Sequence, residues 1–559
     1  NNGGKKKALA SVLAGLAMLA AGQANAAVTE YGLGASATGV DATAYGSNAK
    51  ATKQSTVAVG DSAQATADYA VAMGKSATAS NTKTTAIGNG AVASGANATV
   101  VGSISQGTGS GATAIGTNNK AAYEGTAVGL SNTVTGDTST AIGRSNTVAG
   151  GSSFAAGVRS EARGNRNVAI GNQAISQRDD SIAIGSEVNA LSGHNIAIGS
   201  GGTTAQSGDP TTGGLTSVGI AIGLNARAVA ATATDYDLIA IGNSTQATAN
   251  GAVAIGTLTK ATGNNAYAMG NQANASGSGS VALGQVSTAD AHGALAIGNG
   301  TNANGVGATS IGRTSKASKD GAVAIGFNAE ATGDGAIAIG GDGKGAAFDS
   351  TNTTFAGLGE KTTASAKNAV ALGHQATASI EGGVALGSES VTTTAAGIQG
   401  YNPASDRTNK YSDQAGAIGT STLAAVSVGN GTTATRQITG VAAGTADTDA
   451  VNVAQLKNVN LKYAADTGNS DVLLKNGTLT VNGDNDLIST SVESNGAIKI
   501  TAKKGDNITT NADGKAVAPT TNGIATTDNV TQAINNSGWK ANASANGGTL
   551  TGSATATKV

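Results

Sequence analysis

Glycine recurs in this chain at a spacing that leaves few folds open. Short apolar runs ending in Gly, such as Val57-Ala58-Val59-Gly60, Val168-Ala169-Ile170-Gly171 and Val323-Ala324-Ile325-Gly326, place their glycines at 32, 46, 60, 74, 88, 102, 116, 129, 143, 157, 171, 185, 199, 223, 242, 256, 270, 284, 298, 312, 326, 340, 373, 387 and 419. Of the 24 intervals between them, 19 equal fourteen residues, and the rest (13, 24, 19, 33 and 32) read as one deletion and four insertions or degenerate turns. Such a period marks a solenoid, in which each repeat contacts only its neighbours. A helix-turn-helix unit needs about 33 residues, so a fourteen-residue coil is built from short strands and tight turns.

Each repeat carries two strand-like stretches. In Asn167-Val168-Ala169-Ile170-Gly171 three successive residues are apolar, so both faces of that strand must be covered. In Gly270-Asn271-Gln272-Ala273-Asn274-Ala275-Ser276-Gly277 the apolar residues alternate, and Ala273 and Ala275 share one face while Asn274 and Ser276 point away. Gly and Asn supply the left-handed turn conformations. With 84 Gly and only 14 aromatic residues in 559, the interior must be narrow. Three Pro in the whole chain exclude collagen. The doubly apolar strand has a consequence for assembly. Filling the roll uses one of its faces, and the other leaves an apolar ladder longer than a soluble monomer tolerates.

Other features bound the function. Lys5-Lys6-Lys7, the apolar run Ala8 to Ala21 and Ala24-Asn25-Ala26 form a signal peptide over residues 1–26, so the mature chain is expected to be exported. The balance of 33 basic and 34 acidic residues, without clusters, disfavours nucleic acid as a partner. Cys is absent, which removes disulfides and thiolate metal sites. The three histidines fall at different phases, His194 five residues before its repeat Gly, His292 six before and His374 one after. They cannot stack into one ligand set, and each reads as a solvated or turn histidine. The carboxylate pair Asp179-Asp180 reads as a solvated turn, and Gly107-Thr108-Gly109-Ser110-Gly111 lacks the Lys-Ser/Thr and helix of a phosphate-binding loop. No catalytic, metal or cofactor site is expected, and no binding residue is singled out.

Two motifs carry a family resemblance. Asp180-Ser181-Ile182-Ala183-Ile184-Gly185, His194-Asn195-Ile196-Ala197-Ile198-Gly199 and Asn368-Ala369-Val370-Ala371-Leu372-Gly373 resemble the head repeats of the YadA-like trimeric autotransporter adhesins. Val426-Ser427-Val428-Gly429-Asn430, Thr435-Arg436-Gln437-Ile438-Thr439-Gly440 and Asp447-Thr448-Asp449-Ala450-Val451-Asn452-Val453-Ala454-Gln455-Leu456-Lys457 resemble that family's neck. Asp447, Thr448 and Asp449 offer helix caps, and Val453, Leu456 and Asn460, with Val459 beside them, have the spacing of a helical seam.

Beyond Tyr463, Leu487–Val492 and Ala497–Ile500 predict a hairpin closed at Asn495-Gly496. Thr527-Asp528 offers the cap of a short helix carrying Val530, Ala533 and Ile534 and ending near Ser537-Gly538 before Trp539. With Trp539 this order is similar to the family's Trp-ring modules. The resemblance implies a mainly β chain: a left-handed parallel β-roll head at 27–425, neck and short coiled coil at 426–461, and a truncated Trp-ring-like module at 462–559. It also implies a parallel homotrimer and a membrane anchor in a missing C-terminal part, so the chain is expected to be the distal piece of a longer cell-surface protein. The function it implies is adhesion to extracellular matrix proteins or cell-surface receptors, through the coils or through the insertions at 200–218, 228–238, 341–368 and 388–415. A β-solenoid carbohydrate-active enzyme and a non-adhesive surface solenoid are the competing readings.

Overall fold

The structure, a computed structural model, describes residues 28–206, 218–232, 236–341, 361–400 and 419–537, apart from 447, 474–476, 485, 513–514 and 522. The expected signal peptide 1–26, Trp539 and much of the four insertions lie outside the described residues. Two compact units result, Asn1–Arg436 and Gln437–Val559.

The first unit is a parallel β-solenoid. Each coil contributes one longer strand, such as Val57–Val59, and one two-residue strand, such as Gln64–Ala65. The longer strands stack into one 25-stranded sheet and the short ones into a second. Neighbours pair in parallel at a shift of one repeat, as in Val57↔Val71, Ala58↔Ala72 and Val59↔Met73. Insertions do not disturb this register: Ile198 pairs with Ile222 across one and Ile339 with Leu372 across another. The last rung of the longer-strand sheet is Val426–Ser427, paired with the strand Val384–Leu386. Gly419, expected to close a coil, instead lies beside the antiparallel bridge between Gln399 and Thr420, so the insertion after 387 runs on to the neck sequence.

Alanine fills the roll. The middle residue of each longer strand, such as Ala58, Ala72 and Ala169, has no exposed surface, and neither do Ala63 and Ala65 on the facing side. The flanking Val and Ile point outward and remain half-buried or exposed. The small interior forces close approach at the corners. At Gly60 (φ +130°) a Cβ would stand 2.6 Å from the Gly74 carbonyl oxygen of the next coil, so no side chain fits. The other turn positions are broader than Gly and Asn. Ser62, Arg166, Gln173 and even the β-branched Ile104 and Val286 adopt left-handed φ near 56–59°.

The second unit has little core of its own. A helix, α1 (Val453–Lys457), is followed by antiparallel hairpins pairing Asn460–Ala464 with Asn469–Leu473 and Ile488–Val492 with Ile498–Ala502. The second is the expected hairpin. Its loop differs from a two-residue Asn-Gly turn: the Glu493 amide bonds the Ala497 carbonyl, and Gly496 alone is left-handed (φ +82°), giving a three-residue loop. The expected seam is cut short. α1 ends at Lys457, and Asn460 already belongs to a strand. A helix this short is not self-supporting, and Val453 and Leu456 are 66% and 64% exposed, with no partner helix among the described residues. The cap is Asn452, in a reciprocal capping box with Gln455, rather than Asp449. The second helix, α2 (Thr527–Asn536), forms in the expected segment, but its cap is Thr526, in a capping box with Asn529, and Thr527 and Asp528 already belong to the first turn.

Candidate functional surfaces

Three surfaces of the roll offer chemistry. The first is the outer face of the longer strands. Because side chains alternate, the first and third residues of each strand stand on the same outward face, and parallel register stacks them into two ladders. The third-position ladder runs through Val59, Met73, Ile87, Val101 and Ile115 and continues to Leu386, with Met73 40%, Ile115 41%, Ile142 43% and Leu386 46% exposed. This is the apolar stripe the sequence requires.

The second surface is the pair of corners, where polar side chains stack at fourteen-residue intervals. Arg166, Asp180 and His194 occupy one turn position in successive coils, all with left-handed backbone. Arg166 donates to Asp180 through Nε at 2.5 Å and through its second nitrogen at 2.7 Å, and His194 Nε2 lies 3.6 Å from the same carboxylate. The hydrogen bond from Arg166 holds the Asp180 carboxyl below its ordinary range and lifts the guanidinium further. Asp179 accepts from the Asn165 amide (2.9 Å) and side chain (3.2 Å). The Asp179-Asp180 pair is therefore engaged with the preceding coil and not merely solvated. His194 joins this charge ladder, and His292 and His374 stand in other coils; among the described residues no group of three His, Cys, Asp or Glu could hold a metal ion.

The third surface is the end of the roll. Arg436 reaches back 46 and 48 residues, donating to Ser390 Oγ (3.0 Å), to the Val428 carbonyl (2.6 Å) and to the Ser388 carbonyl. One guanidinium thus bonds the backbone of the last two rungs of the roll. The sequence gives Arg436 only as part of the neck motif, and nothing local marks its distant partners. In the neck itself, the Asp449 carboxylate accepts from the Ala446 amide (3.0 Å) and the Thr445 amide (2.8 Å), which hold its pKa below the ordinary carboxylate range.

The fold thus defines a parallel β-solenoid with one apolar flank. Comparison with known proteins narrows it. The YadA head domain repeat matches nine stretches, residues 51–77, 79–103, 122–146, 162–187, 239–259, 261–287, 289–315, 317–342 and 364–390. The coiled stalk of trimeric autotransporter adhesin matches residues 437–479. The autotransporter adhesin BadA of Bartonella henselae is 43% identical over 113 residues, 20% of this chain and 3% of that protein. The chain therefore spans only a small part of that relative's length. Head repeats in register with the coils, followed by stalk, make this chain a member of the trimeric autotransporter adhesins.

Proposed function

We propose that the chain is the distal part of a surface-displayed bacterial adhesin, exported and trimeric, that attaches cells to host matrix, to host cells or to other cells through many repeated weak contacts. The observation that carries the reading is the division of the roll into an apolar ladder on the longer strands and a polar, regularly repeated outer chemistry on the short strands and corners. The apolar ladder is assigned to two further copies of the chain. A stable interface needs about 800 Å² from each partner, which some twenty coils reach with ~40 Å² each. The polar side then repeats three times around the assembly. Individually weak contacts gain by factors of ~10²–10⁴ when several engage together. The family supports this assembly, and attachment to an outer membrane through a segment beyond this chain belongs to the same proposal. So do the domain limits given above and a Trp-ring-like role for the region around Trp539.

The test is adhesion of the chain to collagen, to fibronectin and to an abiotic surface, with whole coils removed. Deleting residues 257–284 should weaken binding gradually and leave the oligomer intact. If deleting one insertion abolishes binding while coil deletions are harmless, recognition lies in that loop and not in the coils.

A further inference from the structure

One level of the apolar ladder is unlike the others. Across the described coils the third outward position holds Tyr, Val, Met, Ile or Leu, except in the coil Phe154–Val158, where it is Ala156. In the same coil the first outward position is Phe154, the only Phe on either ladder. The register is unbroken around it: Thr140↔Phe154↔Val168 and Ile142↔Ala156↔Ile170. One chain therefore presents a ring and a notch at a single level, flanked above and below by ordinary pairs. The other aromatic well inside the ladder, Tyr267, stands beside Met269, an unbranched side chain that can bend aside. Next to Phe154 there is no such side chain, only the missing volume.

Resting on the assignment of this face to further copies of the chain, we propose that Phe154 of each chain seats on Ala156 of its neighbour, a knob-in-notch contact repeated three times around the assembly. A ring protruding between rungs that carry Thr140, Ile142, Val168 and Ile170 would hold the adjacent chain off at that level unless the partner recedes there, and Ala156 is the recession. The contact also addresses a hazard of the repeat. Near-identical coils could pack one coil out of step, and a level that fits only its own counterpart selects against that alternative.

The test uses the full chain with four sequences: wild type, Phe154→Val, Ala156→Ile and the double variant, whose level copies the Val168/Ile170 pair of the next coil. Thermal dissociation is followed by light scattering. Ala156→Ile, which forces a methyl-rich side chain under each ring, should melt lowest, Phe154→Val should lose less, and the double variant should recover most of the loss. Chains carrying the two single substitutions are then co-expressed under different tags and mixed assemblies isolated. If the contact crosses between chains, each mixed trimer holds one mismatched junction rather than three and melts several degrees above both single-variant trimers. If the mixed assemblies melt between the two parents, the ring and notch pack within one chain and the proposal is overturned. A wild-type chain that is not trimeric contradicts the assembly itself, and its mass separates that failure from the loss of this contact.

Discussion

Coils between 43 and 93 and coils between 113 and 171 stack in the same parallel fashion around a narrow buried interior, yet they close the corner after the longer strand with different bonds. In the first group the corner residue is Ala, and its amide bonds within the coil, as in Ala63 to the Gly60 carbonyl at 3.3 Å and Ala77 to Gly74 at 3.2 Å. In the second group the corner carries Asn119, Asn132, Asn146 and Ser160, each fully buried, and the bonds run between coils. The Asn132 amide donates to Asn119 Oδ1 (2.9 Å), Asn146 to Asn132 Oδ1 (3.0 Å) and Ser160 to Asn146 Oδ1 (2.9 Å). The side chains pass the bond onward to the repeat-Gly carbonyl of the following coil, Asn132 to Gly143 at 2.8 Å and Asn146 to Gly157 at 2.9 Å. The longer strands run to five residues there, as in Thr126–Leu130, against three in Val57–Val59. At an Ala corner the amide bonds within its own coil, whereas an Asn corner adds side-chain bonds to both neighbours and leaves orphaned polar groups if one rung is removed.

The sharpest way to break the comparison is Asn132→Asp. The carboxylate keeps the shape but cannot donate to the Val128 and Gly143 carbonyls, and it is buried. At neutral pH the loss should exceed ~3 kcal/mol per chain. Facing acceptors in a buried site raises the folded-state pKa above the unfolded one, so the penalty stands above the folded value and disappears as pH falls to the unfolded one. Chemical denaturation at pH 7 and pH 4 reads both. Asn132→Ala comes next, costing about 1–3 kcal/mol for each group stranded, chiefly the Gly143 carbonyl and the Asn146 amide. The reciprocal Ala63→Asn, with Ala49 and Ala77 above and below, gains no side-chain partner and should also destabilise, by ~1–3 kcal/mol. Equal stability of Asn132→Ala and wild type would show that the ladder is incidental.

The smallest effect belongs to the neck. Because the backbone amides of Ala446 and Thr445 lower the Asp449 pKa, its contribution is present above the unfolded carboxylate value and is lost as pH falls through the folded one. Amide exchange over 445–452, corrected for intrinsic rate, should therefore rise in acid, and Asp449→Asn should remove most of that dependence.

The sequence makes the coil legible because its period is written in glycines pressed against the next coil and in an interior lined mostly by Ala. The apolar ladder follows from strands apolar on both faces, and the hairpin at 488–502 and the helix at 527–536 follow from local turn and cap chemistry. What stays hidden depends on distance or on other chains. Asn119, Asn132 and Asn146 carry no local mark of burial, since Asn is equally at home in a solvated turn, and only stacking reveals them as buried. Arg166, Asp180 and His194 are spaced by fourteen residues, a signal visible in the sequence once turn positions are compared instead of histidines alone. Arg436 finds its partners 46 and 48 residues away. Among the described residues the seam of Val453 and Leu456 stays exposed, so one chain shows only a five-residue helix within the stretch that matches the coiled stalk.

The most direct test of the account is the mass of the chain in solution. An apolar ladder covered by two further copies predicts a particle of three times 53.2 kDa, persisting on dilution to micromolar concentration by light scattering. A folded, stable monomer at that concentration would contradict the assignment of the ladder and with it the multivalent head.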